Sequence, residues 1–208
     1  MIEITTGRRR CGLLGPLVLF IAIAACWWWS ARLQGPLIYD RALIAQGQWW
    51  RLLSGHLTHS GTAHFLLNSA GLALLWVLHR SHYRPANFFG VVALIALGCG
   101  LGLYWFSPAT QLYLGLSGVL HGLVIWGGYR DIASGWRTGY LLVAGTWAKV
   151  AWEQLVGASD ATARLIGVPV ATDAHLWGAA TGSLLCLGLL AHQRLSTGSS
   201  DQRAPERA

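Results

Sequence analysis

The segment "LYLGLSGVLHGL", residues 112–123, places one serine and one histidine in an otherwise apolar run. Ser117 and His121 are four residues apart, so both side chains leave the same face of a helix. Serine becomes a nucleophile when a base takes its proton, and a histidine that is neutral near pH 7 suits that task. These residue types indicate nucleophilic chemistry at Ser117.

Two more sets of polar residues interrupt apolar runs. "THSGTAHFLLN" puts His64 and Asn68 one helical turn apart, and "ATDAHLWGAATG" places His175 near the start of the last apolar run. A polar group inside a bilayer costs free energy and needs a partner, which makes it a candidate functional residue. We expect the three sets to meet in one pocket near one membrane surface.

The same residues offer groups that could stabilise a negatively charged oxygen. Attack on a carbonyl leaves an oxyanion that needs fixed hydrogen-bond donors. His64, Asn68 and the backbone N–H of Ser117 are donors of the right kind. A turn at Gly115 would leave backbone N–H groups free at the helix start.

Glycines on two of the predicted helices support the expectation that the polar sets meet in one pocket. Gly118 and Gly122 form one small-xxx-small stripe, and Gly178 and Gly182 form another. Such stripes allow two helix backbones to approach closely in a membrane. The alternative is that they are ordinary packing glycines with incidental polar neighbours.

The composition indicates a lipid environment. Hydrophobic residues make up 54% of the 208-residue chain and charged residues only 11%, against about 25% charged residues in soluble domains. The net charge is +7. The cationic residues lie between apolar runs and at the two ends of the chain, not on one basic face, and this distribution argues against nucleic-acid binding. We interpret the four cysteines as small core residues and expect no disulfide.

The apolar runs predict an all-α membrane protein with six spans, at about 11–29, 62–79, 88–106, 115–133, 139–157 and 174–192. Six spans place both termini on one side, together with ten arginines: Arg8, Arg9, Arg10, Arg80, Arg84, Arg130, Arg137, Arg194, Arg203 and Arg207. The other side has four: Arg32, Arg41, Arg51 and Arg164. By the positive-inside rule the termini are cytoplasmic. We therefore expect a bacterial inner-membrane protein whose site opens to the periplasm, in contact with membrane lipids.

Residues 1–193 are predicted to form one domain, and residues 194–208 a disordered cytoplasmic tail rich in polar residues. Segment 30–61 mixes Trp, Arg and Leu and is predicted to lie at the outer interface as short amphipathic pieces. The first span could instead be a signal peptide. Its removal would leave an odd number of spans and spoil the charge asymmetry.

Four motifs in this order resemble the rhomboid intramembrane serine proteases: "WWRLLSGHLTH", "HFLLN", "GLSG" and "AHLWG". The match covers about residues 49–182. The resemblance implies Ser117 as nucleophile and His175 as base, in a dyad without a catalytic aspartate. It also implies an oxyanion hole made by His64, Asn68 and the Ser117 amide, with Gly115 shaping the turn. Gly118 follows the serine in the motif, and we expect no metal ion or cofactor.

"GLSGVLHG" and the short, Trp-rich, six-span chain are most similar to the rhombosortase branch of that family. The resemblance implies substrates that carry a C-terminal Gly-Gly pair, a hydrophobic helix and a basic tail. Glycine is a poor helix former, so a Gly-Gly pair can unwind and present an extended carbonyl. The sequence leaves open whether water or an amine resolves the acyl-enzyme, and in which oligomeric state the protein acts.

Several other residues have more than one interpretation. Rhomboids commonly carry an aromatic ring at the position that His121 occupies here. We expect the His121 ring to stack on His175. The alternatives for His121 are contact with substrate and a role as base. Lys149 and Glu153, four residues apart in the fifth span, are predicted to pair, with substrate binding or gating as the alternative. Asp173 could cap its helix or orient His175. His59 is expected at the mouth of the pocket, and His56, His79, His82 and His192 at the interface or in solvent.

Two other classes of protein remain open. A non-catalytic relative could bind transmembrane helices, but such proteins usually lose the serine or the histidine. A haem- or quinone-binding bundle could use intramembrane histidines, but it would leave Ser117 and its glycine turn unexplained.

Overall fold

The computed structural model describes the backbone of residues 8–201 and the side chains of residues 12–188. The helices are α1 (Arg8–Trp28), α2 (Ser30–Leu37), α3 (Arg41–Ala45), α4 (Arg51–Ser54), α5 (Thr62–His79), α6 (Pro85–Phe106), α7 (Ser117–Ala133), α8 (Thr138–Val156), α9 (Asp160–Ile166) and α10 (Thr172–Asp201). A 3₁₀ turn covers Gly55–Leu57. Two short strands, β1 (Tyr39–Asp40) and β2 (Leu112–Tyr113), pair antiparallel.

Six long helices lie where the sequence predicts them: α1, α5, α6, α7, α8 and α10. Helix α5 has the predicted bounds, and α6 starts earlier than residue 88 because Pro85 begins it. Proline suits the first turn of a helix, where its missing N–H is not needed. Helix α10 runs past residue 192 to Asp201. It therefore includes residues 194–201 of the predicted disordered tail, and residues 202–208 lie outside the described part of the chain.

Two of the described helices, α5 and α6, are long and apolar enough to cross a membrane on their own. Gly12–Trp28 of α1 and α2 make a third span if the pair, bent by 107°, is counted as one. The count of six spans and the cytoplasmic placement of both termini stay predictions.

Large apolar side chains are exposed on the outside of the long helices. Leu141 and Leu155 of α8 are 75% and 84% exposed, and Leu184 of α10 is 68% exposed. Exposed apolar surface of this extent is unfavourable in water. The outer surface therefore agrees with the lipid environment that the composition indicates.

Helices α7 and α10 make the most extensive helix–helix contact of the described fold, and glycines line their interface. A Cβ atom at Gly178 would overlap the carbonyl oxygen of Gly118, and one at Gly182 would lie 2.5 Å from the carbonyl oxygen of Gly122. Both predicted stripes therefore face each other. This seam joins the helix that carries Ser117 to the helix that carries His175.

The segment between α1 and α5 consists of short pieces, as predicted, and buried polar contacts hold it in place. Arg51 is 4% exposed and donates to the carbonyls of Gly35 and Ile38. Arg41 donates to the carbonyls of Leu103 and Tyr104 at the end of α6. Arg51 thus joins two parts of the segment to each other, and Arg41 holds the segment against α6.

The β1–β2 pair is a feature that the all-α prediction missed. Tyr39 pairs with Tyr113 and Asp40 with Leu112, so the segment before α3 meets the segment before α7. Each strand has only two residues, which is too short to give an alternating apolar pattern. The pairing fixes the stretch of chain that leads into Ser117.

Two histidines expected at the interface or in solvent are buried instead. His56 is 2% exposed; its Nε2 donates to the carbonyl of Ala96, and its Nδ1 lies 3.1 Å from the Tyr113 hydroxyl. His79 is fully buried, with Nε2 3.3 Å from a carboxylate oxygen of Asp131. The expectation was wrong because both rings find polar partners on distant elements. The expectation was wrong for His82 as well, because its side chain is only 8% exposed and its Nε2 lies 2.7 Å from the other oxygen of the same carboxylate. His192 lies outside the described side chains.

The glycine seam leads to a stability prediction. Gly178→Ala should lower the free energy of unfolding by about 1–3 kcal/mol, because the new methyl group forces α7 and α10 apart. Gly188→Ala on the same helix is the matched control, since a Cβ there meets nothing within 4 Å. Thermal unfolding of the detergent-solubilised variants measures the difference. Equal melting temperatures for the two variants would contradict the close packing.

Candidate active site

Ser117 and His175 lie within hydrogen-bond distance across the seam. Ser117 is the first residue of α7, and His175 lies in the first turn of α10. The Ser117 Oγ and the His175 Nε2 are 3.0 Å apart. The histidine is only 5% exposed. This is the distance and the enclosure that a serine and its base require.

The turn before Ser117 depends on Gly115, whose φ of +119° lies in the region that favours glycine. A Cβ there would lie 2.6 Å from the Nε2 of His64. The Gly115 amide donates to the carbonyl of Gly55, and its carbonyl accepts from the Tyr113 hydroxyl. The backbone angle and the lack of space for a Cβ require glycine at this position, and the two backbone hydrogen bonds hold the turn in place.

His64 and Asn68 of α5 face this turn, as their spacing predicts. Ser60 contacts Nδ1 of His64 through its amide and its hydroxyl, which leaves Nε2 directed at Gly115. Asn68 is 4% exposed, and within the described part of the chain its Nδ2 has no hydrogen-bond partner. A buried donor without an acceptor is rare in folded proteins. The site therefore holds a donor that is free to receive an added oxygen atom.

The rings of His121 and His175 are stacked, with centroids 4.0 Å apart and planes within 18°. His121 Nδ1 donates to the carbonyl of Ser117 at 2.7 Å, which orients the ring. The Ser117 hydroxyl contacts the ring of His175. This geometry favours stacking over a role as base for His121.

The other ring nitrogen of His175 binds Glu153 of α8. His175 Nδ1 donates to Oε2 of Glu153 at 2.8 Å, and Lys149 donates to Oε1 of the same carboxylate at 2.7 Å. The predicted Lys149–Glu153 pair is therefore present. The contact between Glu153 and His175 was not predicted from the sequence. Ionisable residues within an apolar helix were the signal that could have pointed to it.

Asp173 does not take the position beside His175, because Glu153 occupies Nδ1. Helix α10 starts at Thr172, so Asp173 lies inside the first turn and not at the cap. A carboxylate in that turn interacts favourably with the positive end of the helix dipole.

His59 lies beside the site and not at an open mouth. It is 2% exposed and packs edge-on against His64, with ring centroids 5.1 Å apart. Burial, together with the neighbouring His64, lowers the pKa of His59 to about 3. The ring is therefore neutral near pH 7 and supports the position of His64.

A cavity of about 420 Å³ opens next to His175, between α8, α9 and the loop that precedes α10. Lys149, Glu153 and Trp152 line one side, and Thr162 and Val170 the other. His175 lies at the edge of this cavity, on the side of its ring that faces Glu153.

His121, Glu153 and His175 bring three potential metal ligands within 4.8 Å of one another. Tetrahedral zinc needs ligand lone pairs that converge on one point. The Nδ1 atoms of both rings are engaged with protein acceptors, and the His175 Nε2 faces the Ser117 hydroxyl. The arrangement suits a chain of hydrogen bonds better than an ion.

Comparison with known proteins supports the family resemblance seen in the sequence. A family model described as the Rhomboid domain matches residues 46–192. The chain is 32% identical over 80 residues to "Putative rhomboid protease YdcA" of Bacillus subtilis (strain 168), which covers 38% of this chain and 40% of that protein. It is 29% identical over 107 residues to "Rhomboid protease GluP" of the same organism, covering 51% of this chain and 20% of that protein. The matched segments thus span less than half the length of either relative.

The stacked rings lead to a prediction for His121. His121→Phe should keep a measurable fraction of the rate at which a fluorophosphonate probe modifies Ser117, because a planar ring can still pack on His175. His121→Ala should keep less. If His121→Phe were as unreactive as Ser117→Ala, with an unchanged thermal melt, stacking alone would be excluded and His121 would have to be catalytic.

Proposed function

The chain belongs to the rhomboid family, and from this premise we propose that it is an intramembrane serine endopeptidase with Ser117 as nucleophile and His175 as base. The observation that carries the proposal is the 3.0 Å contact between Ser117 Oγ and His175 Nε2. A glycine turn precedes the serine, and an unpaired amide donor faces it. No observation favours the haem, quinone or non-catalytic alternatives over this chemistry.

In the first step Ser117 Oγ bonds to the carbonyl carbon of the scissile peptide. His175 Nε2 takes the hydroxyl proton, and the π electrons of the carbonyl move onto its oxygen. The result is a tetrahedral intermediate with a negative oxygen and an imidazolium. Ser117 is a weak nucleophile until this proton leaves, so the base contact is the central requirement.

The oxyanion is stabilised by His64 Nε2–H, the Asn68 amide and the backbone N–H of Ser117. The first N–H groups of a helix have no intrahelical acceptor, and the helix dipole favours negative charge at the same place. The free Nδ2 of Asn68 supports this role, because the resting protein offers it no acceptor.

Collapse of the intermediate breaks the peptide C–N bond, and His175 Nε2–H gives its proton to the leaving amine. The acyl-enzyme is then resolved by water or by an amine acceptor, with His175 again taking the proton of the attacking group. Water gives a free carboxylate at the new C-terminus, and an amine gives an amide. The new C-terminus therefore identifies the acceptor.

The proposed substrates are membrane-anchored proteins with a C-terminal Gly-Gly pair, a hydrophobic helix and a basic tail. The similarity of "GLSGVLHG" to the rhombosortase branch supports this class. A Gly-Gly pair also unwinds at little free-energy cost, which helps an enclosed serine to reach the carbonyl. The arginine distribution supports an inner-membrane protein that cuts near the periplasmic surface.

Cleavage of a reporter with such a tail tests the proposal. Ser117→Ala and His175→Ala should each lower the rate by about 10³-fold or more, and the double variant should be no worse than either. Mass analysis of the reporter's new C-terminus identifies the cut bond and the acceptor.

Ser134→Ala at the exposed end of α7 is the matched control for this experiment and should cleave normally. Near-normal turnover by Ser117→Ala would exclude Ser117 as nucleophile. Additive losses in the double variant would argue against a serine and a base that act together.

Asn68→Ala should lower kcat by about 10²–10³-fold, the usual effect of losing one oxyanion donor. Stability should not fall, because the side chain removed has a buried donor without a partner. The neighbouring Ser69→Ala is the control, since the Ser69 hydroxyl is also buried and unpaired within the described residues. Equal kcat values for the two variants would contradict the oxyanion role.

A further inference from the structure

Glu153 makes two different hydrogen bonds with its two carboxylate oxygens. Oε1 accepts from Lys149, one turn earlier on α8, and Oε2 accepts from His175 Nδ1 on α10. The Glu153 side chain is 10% exposed and that of His175 is 6% exposed. An intrahelical ion pair needs only the first contact, so the second one requires a separate reason.

The contact with Glu153 determines which nitrogen of His175 carries the proton. A carboxylate can only accept, so Nδ1 must donate, and the lone pair of the neutral ring is then on Nε2. Nε2 is the atom 3.0 Å from Ser117 Oγ. The bond to Glu153 therefore holds the tautomer that can take the serine proton.

The same carboxylate acts on the charge that appears during the reaction. Proton transfer from Ser117 turns His175 into an imidazolium although its side chain is only 6% exposed. An unpaired charge in such a place is costly, and Glu153 lies 2.8 Å from it. The groups facing His175 are Ser117 and His121 of α7, Lys149 and Glu153 of α8, and His64 of α5. Among these groups Glu153 supplies the negative charge.

Lys149 has a supporting part in this arrangement. A lone carboxylate within a membrane helix costs about 2.5–3.5 kcal/mol on insertion scales. The ammonium of Lys149 offsets that cost and remains 47% exposed, so it keeps part of its own solvation. Glu153 can therefore stay ionised beside His175.

We propose that Glu153 is a positioning residue that completes a Ser117–His175–Glu153 triad, where the family resemblance implies a dyad. The proposal rests on the protease function proposed above. The proton moves from Ser117 Oγ to His175 Nε2 and later to the leaving amine, while Glu153 stays ionised throughout. It acts through His175 and does not touch the substrate carbonyl.

Fluorophosphonate labelling of Ser117 in the full-length, detergent-solubilised protein tests the triad without a known substrate. Glu153→Gln keeps the shape of the side chain but lets the amide donate to Nδ1, which favours the wrong tautomer. The maximal rate of inactivation should fall by about 10²–10⁴-fold. The probe concentration that gives half of that rate should change less than about 3-fold, because Glu153 does not contact the probe.

Three further variants separate positioning from structural damage. Glu153→Asp keeps the charge and should retain more of the rate than Glu153→Gln. Lys149→Met/Glu153→Gln removes both charges and should stay as slow as Glu153→Gln, which shows that an unpaired lysine is not the cause. Gln154→Ala, at the exposed neighbouring position on α8, should label like the wild type.

The outcomes distinguish the triad from the protease function. If the wild type is labelled at Ser117 and the maximal rate of inactivation of Glu153→Gln is within about 3-fold of the wild-type rate, the triad is overturned. The proposed protease function is unaffected by that result. A double variant that regains the wild-type rate would overturn the triad in the same way. Absence of labelling at Ser117 in the wild type would overturn the protease function, and the triad with it.

Discussion

The active site depends on the close approach of two helix backbones. Gly118 follows Ser117, and Gly178 lies one turn after His175. At these positions the backbones of α7 and α10 are too close for a Cβ atom. Two helices that pack through larger side chains have axes about 8–10 Å apart. The glycine seam brings α7 and α10 closer than that at the positions beside Ser117 and His175, and it accompanies the 3.0 Å contact between Ser117 Oγ and His175 Nε2.

Burial then determines how the polar groups must be arranged. In a site of low polarity an unpaired charge or donor is costly, so each group needs a neighbour. Lys149, Glu153, His175 and Ser117 form one continuous chain of contacts, from the half-exposed ammonium to the enclosed hydroxyl. A buried ion pair does not by itself add stability. A chemical role for the chain explains its presence better than a contribution to folding does.

The sequence predicts the features that depend on local pattern. The apolar runs predict the six long helices, and the four-residue spacings predict that His64 and Asn68 share a face. The stacking of His121 on His175 was expected from the family resemblance, and the structure places the two rings in that arrangement. The β1–β2 pair, the burial of His56 and His79, and the Glu153–His175 contact were not predicted. Each joins segments far apart in the chain, and a periodic pattern carries no information about such contacts.

The two sides of Ser117 differ in how fully their hydrogen bonds are formed. On the side of the base, both nitrogens of His175 are engaged before any substrate arrives. On the opposite side, the Nδ2 of Asn68 is buried without a partner in the described structure. A donor without a protein acceptor can bond to an oxygen atom that enters the site, and the gain is largest when the oxygen carries a full negative charge. The proposed oxyanion hole would thus stabilise the tetrahedral intermediate more than the bound substrate, which is the condition for a faster reaction.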